Sequence, residues 1–308
     1  MHLEFEKWHG CKNDFMVAWI AATDRDLIIP SLQRQAPALC NRRGDGVGAD
    51  GILVVVTRTA RELTPEELVI INADGSLARN CGNGLRCATR SVLRRMELAG
   101  TRKADLPPAI EWHVEGRKFW CKVFDPQGLT GVQMDRVKVE AVGKGSALWQ
   151  QLASAAGESA EILQSSEAIF VVDAGNMHLV VFGKATTPDN WRKFSEAVQK
   201  AGGWDGINVH LSWTPDTGEQ VDRMPDKLPR FDVESSFVVI PWERGAGLTQ
   251  ACGSGAVAVA AAANDGMPGG DTWTAVQMPG GTLYVQQAGD GWMLVGPAKL
   301  VFTGTVEI

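Results

Sequence analysis

Two cysteines of this 308-residue chain stand where a thiol could move a proton. Cys252 opens the sequence Cys-Gly-Ser-Gly and precedes residues 256–263, an Ala- and Val-rich run that predicts a helix beginning just after the thiol. The N–H groups and the positive dipole end at a helix N-terminus favour an anion, so we expect a lowered thiol pKa there. Cys252 is therefore predicted to be a reactive cysteine.

The same arrangement occurs in the first half of the chain. Cys81 opens Cys-Gly-Asn-Gly and precedes residues 85–98, which also have a helical pattern. Asn72 lies nine positions before Cys81, and Glu243 lies nine positions before Cys252, so the loops that lead to the two thiols have equal length. We interpret the chain as two related halves.

A second pair of segments supports this interpretation. Asn13 and Asn176 are each followed by an apolar, strand-like run. If the halves pack about a pseudo-twofold axis, two thiols would meet in one cleft from opposite sides. Inverting a carbon that bears a proton requires one group to remove the proton and another to deliver one to the opposite face. A thiol and a thiolate can perform this chemistry without a cofactor.

Six segments between residues 3 and 263 form a specific combination. In chain order they are HGCKNDFMVAW, RRGDGVGADGILVV, NADGSLARNCGNGLRC, GNMHLVVF, GINV and WERGAGLTQACGSGA. Two Cys-Gly-x-Gly motifs, joined with the Asn-Asp-Phe and Glu-Arg-Gly signatures in this order, resemble the diaminopimelate epimerase family of cofactor-independent amino-acid racemases. The resemblance implies reversible conversion of L,L-diaminopimelate to the meso form, a step toward lysine and peptidoglycan.

The resemblance also implies roles for individual residues. Cys81 and Cys252 are the expected acid–base pair, and no cofactor or metal is expected. Glu243 and Arg244 are expected to bind the distal amino-acid end of the substrate, since Arg grips a carboxylate in two places. The expected substrate-binding residues are Asn13, Asn72, Gly82, Asn83, Asn176, Asn208, Glu243, Arg244, Gly253 and Ser254.

The implied fold is α+β, with two pseudo-symmetric domains that are each a curved, mostly antiparallel sheet or barrel around a central helix. We expect residues 1–137 to form the half that carries Cys81, with residues 296–308 returning to it, and residues 138–295 to form the half that carries Cys252. The helix after Cys252 is apolar on all sides and therefore needs burial on all sides. Residues 141–166, rich in small side chains, are predicted to be a linker with one short helix.

Composition excludes several classes of protein. The net charge of −6 does not indicate the basic surface that nucleic-acid-binding proteins have. The longest apolar run is well short of the about 18 residues that suggest a membrane-spanning helix. The alternating, acidic start at residues 1–7 predicts a β-strand and not a signal peptide. We expect a soluble cytoplasmic enzyme, a small-molecule amino-acid substrate, no nucleic-acid or membrane partner, and a homodimer.

The six cysteines contain no CxxC pair and no His at zinc-site spacing, so the sequence predicts neither a metal knuckle nor a secreted disulfide framework. The cysteines outside the two motifs are predicted to be buried small hydrophobes. They are Cys11, Cys40, Cys87 and Cys121. For His178 we favour a ring packed on a strand with one nitrogen satisfied over a direct role in proton transfer.

Three alternatives stay open at this point. Lys12, Ile240 and Leu248 replace residues that are common in the family, so the chain could be a racemase of another amino acid, of the histidine or hydroxyproline type, on the same fold. A relative that only binds or isomerises a metabolite is the second alternative, and a thiol–disulfide protein is the third. Residues 212–230 are predicted to be a surface loop.

Overall fold

The chain folds into two structural units built from sheets and helices. The computed structural model describes residues 1–124, 128–201, 203–204, 206–215, 232–264 and 272–308. One unit contains residues 1–133 and 295–308, and the other contains residues 134–294. Both combine largely antiparallel sheets with helices, so the predicted α+β class is confirmed.

The secondary-structure elements are numbered in chain order. The strands are β1 (His2–Gly10), β2 (Asn13–Ala21), β3 (Gly51–Thr57), β4 (Pro65–Asn72), β5 (Ala109–Val114), β6 (Arg117–Val123), β7 (Leu129–Met134), β8 (Lys138–Ala141), β9 (Ala168–Asp173), β10 (Met177–Phe182), β11 (Asn208–Trp213), β12 (Val233–Glu243), β13 (Gly247–Leu248), β14 (Trp273–Met278), β15 (Gly281–Ala288), β16 (Gly291–Pro297) and β17 (Lys299–Glu307). The helices are α1 (Arg25–Leu39), α2 (Gly82–Leu98), α3 (Ala147–Ala156), α4 (Glu161–Ser165), α5 (Pro188–Lys200) and α6 (Gly253–Ala263).

The first unit is organised around strand β3. Its main sheet has the order β17-β1-β2-β3-β4, in which β2 and β3 run parallel and the other neighbours run antiparallel. All seven residues of β3 are buried, because α1 and α2 both pack against it. A strand covered in this way has a continuous apolar sequence, as Ile52–Val56 has.

Helix α2 is the central helix of the first unit. It packs against β1, β2, β3, β4 and β6. Ten of its 17 residues are buried, which is more than one face of a helix can supply, so strands surround much of its circumference. Its first turn, which follows Cys81, is thereby fixed within the sheet.

The second unit repeats this plan around α6. Its strands follow the order β16-β15-β14-β12-β11-β10-β9-β8, with β13 paired to β12. The pairs β10–β11 and β12–β14 are parallel. Helix α6 packs against β9, β10, β11, β14 and β15, and nine of its 11 residues are buried. The prediction that this apolar helix is buried on all sides is confirmed.

The region 141–166 differs from its prediction as a linker. It forms α3 and α4 with a short 3₁₀ turn between them, and Ser146 caps α3 by accepting a hydrogen bond from Trp149 N–H at 3.1 Å. Leu152 and Leu163 are fully buried in a core shared with Trp191 of α5. The linker prediction is wrong because the apolar residues spaced among the alanines give this segment a face to bury.

Other expectations concern the shape of the sheets. Within the described ranges the strand orders are open paths, and no closed barrel forms. Residues 212–213 of the predicted surface loop belong to β11, whereas residues 216–230 of that loop lie outside the described residues. None of the helices in the described part of the chain has the length and apolar character needed to span a bilayer.

Candidate active site

Cys81 is the N-cap residue of α2. Its backbone is extended (φ −155°, ψ 98°), and its Sγ accepts a hydrogen bond from the backbone N–H of Gly84 at 3.3 Å. A Cβ on Gly84 would lie 3.0 Å from Leu53 Cδ2 and 3.3 Å from Sγ. The second glycine of the motif is therefore the residue that lets the thiol fold back over the helix start.

Cys252 has the same local geometry in the second unit. It is the N-cap residue of α6 (φ −120°, ψ 112°), and its Sγ accepts a hydrogen bond from Gly255 N–H at 3.3 Å. Ser254 Oγ lies 3.7 Å from the same sulfur. Each thiol thus lies at a helix start, where the sequence predicts it. The other four cysteines are buried, as predicted.

The prediction of a lowered pKa is wrong for Cys252. Burial raises the pKa of this thiol well above its ordinary value, and the facing carboxylate of Glu243 raises it further. Hydrogen bonds from Gly255 N–H and Ser254 Oγ act in the opposite direction but do not reverse the shift. Loss of solvation outweighs the helix N-terminus here, because a thiolate has far more to lose from burial than a thiol.

In the first unit, the structure brings Asn13 and Asn83 together beside Cys81. Asn83 Nδ2 donates to Asn13 Oδ1 at 3.1 Å, and its own Oδ1 accepts from the fully buried Arg86 guanidinium at 2.6 Å. Asn13 Nδ2 in turn donates to Asp50 Oδ2 at 2.6 Å. The chain of bonds fixes both amides with respect to the start of α2.

A cluster of charged residues next to Asn13 was not predicted to be part of the site. Asp14 forms an ion pair with Lys7 at 2.9 Å and a two-point pair with Arg42, which also reaches Asp50 at 2.7 Å. Burial works to raise the pKa of Asp14, but hydrogen bonds from Arg42 and Lys7 outweigh it and hold that pKa below its usual range. The available signal was the Asn-Asp pair at the start of β2, together with the charges of the glycine-rich loop 41–51.

Asn72 lies at the end of β4 and is exposed. Its Nδ2 donates to Ser76 Oγ at 2.9 Å, and its backbone N–H bonds to the Ser76 carbonyl. These contacts place Asn72 in the turn that leads toward Cys81.

In the second unit, Asn208 supports the Glu243–Arg244 segment. Asn208 Oδ1 accepts from the backbone N–H of Arg244 at 3.0 Å, and its Nδ2 donates to the Met177 carbonyl at 3.3 Å. The Arg244 residue is exposed, whereas Asn208 is buried. Thr249 Oγ1 donates to Glu243 Oε1 at 2.5 Å, and Glu243 also faces the Cys252 thiol. The structure therefore joins three predicted residues to the second cysteine.

His178 is fully buried on β10. Both of its ring nitrogens contact a polar atom, whereas we expected only one nitrogen to be satisfied. Its Nε2 lies 2.9 Å from Asn176 Oδ1, and its Nδ1 lies 2.8 Å from His210 Nε2. Burial and the neighbouring imidazole lower the pKa of His178 well below its usual value, and burial lowers the pKa of His210 to about 3. Both rings are therefore neutral.

His210 was missed by sequence reasoning. It follows Asn208 by two positions in β11, so both side chains project from the same face of the strand. A Cβ on Gly255 would lie 2.5 Å from His210 Cε1, which shows that the ring packs directly against the turn that begins with Cys252. The alternation Asn-x-His in a strand beside the predicted site was the signal that could have identified it.

Comparison with known proteins supports the motif-based interpretation. Residues 5–119 match the family model described as diaminopimelate epimerase. The chain is 30% identical over 314 residues to the diaminopimelate epimerase of Clostridium perfringens, covering 98% of this chain and 99% of that protein. It is 29% identical over 332 residues to that of Rippkaea orientalis, covering 100% of both.

A solved structure shares the fold at much lower identity. The PhzF-family phenazine biosynthesis protein of Bacillus anthracis has a TM-score of 0.69 and 13% sequence identity, with 100% of both chains covered. This likeness shows the architecture alone, while the full-length identity to curated relatives shows the family. The chain belongs to the diaminopimelate epimerase family and is an isomerase of the epimerase type.

Proposed function

We propose that the protein interconverts L,L- and meso-diaminopimelate without a cofactor, using Cys81 and Cys252 as two acid–base groups. One observation carries this proposal. Both cysteines are helix N-caps whose sulfur accepts the N–H of the residue three positions later, at 3.3 Å in each case. Two equivalent thiols in two related units match a reaction that needs one proton acceptor and one proton donor.

The two thiols start the reaction in different forms. Cys252 is buried and faces Glu243, and its raised pKa keeps it protonated. We therefore assign to Cys252 the delivery of a proton in the direction that begins with this form, and to Cys81 the removal of the α-proton. After one conversion Cys81 holds the proton and Cys252 is the thiolate, so the two roles are exchanged in the reverse direction.

The helix starts supply the groups that would stabilise the reacting carbon. The first N–H groups of an α-helix point out of its N-terminus, at the positive end of the helix dipole. In α2 these belong to Gly82 and Asn83, and in α6 to Gly253 and Ser254. Bound to the substrate α-carboxylate, they would also stabilise the negative charge that develops as the α-proton leaves.

The distal end of the substrate would be bound by charged groups. The exposed Arg244 guanidinium suits a carboxylate, and Glu243 suits an ammonium. Asn208 holds the backbone of Arg244 and so orients this pair. Asn13, Asn72 and Asn176 complete the proposed set of substrate contacts. A site with two charged ends discriminates against amino acids that have only one.

We also propose where in the cell the protein acts. Epimerisation of diaminopimelate serves lysine and peptidoglycan synthesis, so a cytoplasmic location follows from the substrate. We also propose a homodimer, which light scattering during gel filtration would test.

The deciding experiment is proton NMR of the reduced protein with L,L-diaminopimelate in D₂O and no added cofactor. Loss of the α-proton signal together with appearance of the meso isomer is the expected result. Cys81→Ala and Cys252→Ala should each abolish inversion with the fold intact, whereas Cys40→Ala, which removes a buried thiol away from a helix start, should retain it.

Two outcomes would change the proposal. Full racemisation by either single cysteine variant would overturn the two-base scheme. No exchange with diaminopimelate, but exchange with histidine or hydroxyproline, would replace the substrate and make the protein a different racemase on the same fold.

A further inference from the structure

Three side chains with metal-binding atoms converge beside α6. A nitrogen of His178, a nitrogen of His210 and the sulfur of Cys252 all lie within 4.8 Å of one another, and all three residues are buried. Strands β10 and β11 are parallel neighbours, with His178 opposite Asn208, so His210 lies two residues further along the same face. The first turn of α6 then adds the thiol. Pairing of β10 with β11, and not the spacing in the sequence, creates the cluster.

The ring of His178 is already oriented as metal-bound histidines are. Its Nε2 lies 2.9 Å from Asn176 Oδ1, which accepts the Nε2 proton and leaves a lone pair on Nδ1. That lone pair points to Nε2 of His210 at 2.8 Å. Metal-ligating histidines commonly donate their second N–H to an oxygen in this way, which fixes both tautomer and orientation.

The local charge also favours a cation. The carboxylate of Glu243 faces the Cys252 sulfur and would stabilise a positive ion bound to that sulfur. Among the residues that the structure describes, His210 Nδ1, on the far side of its ring, is buried and has no hydrogen-bond partner. The His210 Nε2 atom contacts His178 Nδ1.

We propose that His178 Nδ1, His210 Nε2 and Cys252 Sγ form a binding site for a thiophilic divalent cation of the zinc class. Zn–N bonds of about 2.0 Å and Zn–S bonds of about 2.3 Å require ligand atoms roughly 3.3 to 3.6 Å apart in a tetrahedral site. The two histidine nitrogens, now 2.8 Å apart, must separate slightly. The sulfur already lies within 4.8 Å of a nitrogen of each ring. A water molecule would take the fourth position.

Binding has a defined chemical balance. The Cys252 S–H bond breaks as the S–metal bond forms, and its proton leaves to solvent. The His210 ring proton moves from Nε2 to Nδ1, so that the Nε2 lone pair can bind the ion. The two imidazoles replace water ligands of the ion. Asn176 is exposed and Ser254 is half-buried, so the cluster has solvent close on two sides. Resting on the proposed function, the occupied site would hold the Cys252 thiolate and stop its proton transfer. Zinc would then be a reversible inhibitor.

The test uses Co²⁺ as a spectroscopic probe with the full-length, reduced protein. One equivalent should give the visible bands of tetrahedral Co²⁺ and a near-ultraviolet thiolate-to-cobalt band, and Zn²⁺ should displace both. Cys252→Ser should lose the thiolate band, while the matched variant Cys81→Ser should keep it. Asn176→Ala, which removes only the orienting oxygen, should weaken Zn²⁺ binding about 10- to 100-fold. His210→Gln should weaken binding at least as much.

Several results would overturn the site. They are the absence of a thiolate band in the wild-type protein, the persistence of the band in Cys252→Ser, and equal Zn²⁺ affinity in His210→Gln of unchanged thermal stability. These readouts do not depend on turnover. Cobalt spectra as expected in a protein that fails to epimerise diaminopimelate would sink the proposed function alone, and an active enzyme without such spectra would sink the metal site alone.

Discussion

Asn83 Nδ2 donates a hydrogen bond to Asn13 Oδ1 at 3.1 Å, and this bond joins two residues that lie 70 positions apart. One residue belongs to the first turn of α2, and the other begins β2 directly after the two-residue turn Cys11-Lys12. The position of the Asn13 amide therefore depends on the conformation of that turn. Its backbone is left-handed at both residues, with φ of 51° at Cys11 and 63° at Lys12.

The turn leads to a first prediction, for Lys12→Gly. A residue with a Cβ loses roughly 1 kcal/mol in the left-handed region, whereas glycine does not. We expect Lys12→Gly to raise the free energy of unfolding by about 0.5 to 1 kcal/mol, measured by urea denaturation. The control is Lys138→Gly in the exposed strand β8, which should lower that free energy by a similar amount. A loss of stability in Lys12→Gly would show that its side chain makes compensating contacts.

The contact between Gly255 and His210 gives a second prediction. Alanine is ordinarily the better helix residue by about 1 kcal/mol. Here its Cβ would lie 2.5 Å from His210 Cε1 and 2.7 Å from Nε2, and the ring is fully buried. We expect Gly255→Ala to lower the free energy of unfolding by about 1 to 2 kcal/mol.

The matched control for this substitution is Gly143→Ala. A Cβ at Gly143 would meet no atom of the described part of the chain within 4 Å. This variant should have the same free energy of unfolding as the wild type, or one higher by up to about 1 kcal/mol. The increase would come from the lower conformational entropy of the unfolded chain when alanine replaces glycine. Equal effects at both glycines would contradict the close packing of His210 against α6.

Much of the fold and both cysteine positions were predictable because their signals are local. The buried run of β3, the apolar helix α6 and the glycines after each thiol are properties of short segments. The pKa of Cys252 was not predictable, because it depends on how much water the surrounding strands exclude. His210 was missed for a related reason, since its role comes from the pairing of β10 with β11 and from packing against a helix more than 40 residues away.

A third prediction separates two asparagines that the sequence assigned to the same role. Asn208 is buried, and its amide satisfies both the Arg244 N–H and the Met177 carbonyl. Asn208→Ala would leave both backbone groups without this partner and should cost about 1 to 3 kcal/mol of stability.

Asn72 is the comparison for that variant. It is exposed, and its side chain bonds to Ser76 Oγ. Asn72→Ala should change the free energy of unfolding by no more than about 0.5 kcal/mol, so any loss of activity would reflect the site itself. Similar stability losses in the two variants, measured by urea denaturation, would show that burial does not separate their roles.

The fourth prediction concerns the acid limb of stability at Asp14. Hydrogen bonds from Arg42 and Lys7 overcome the effect of burial and hold the Asp14 pKa below the unfolded value of about 3.9. The unfolded chain therefore takes up this proton first as pH falls. The stabilisation is complete above that unfolded value and is lost as pH decreases through the folded pKa.

Asp14→Asn should therefore lower the free energy of unfolding by about 2 kcal/mol near neutral pH, because the Lys7 side chain is only 6% exposed and loses its ion pair. Urea denaturation between about pH 7 and about pH 3 should show the wild type approaching the variant at the acid end. The control is Asp26→Asn, whose side chain is 99% exposed and which should follow the wild type throughout. A gap between wild type and Asp14→Asn that stays constant down to the acid end would mean that the carboxylate does not titrate in the way its ion pairs require.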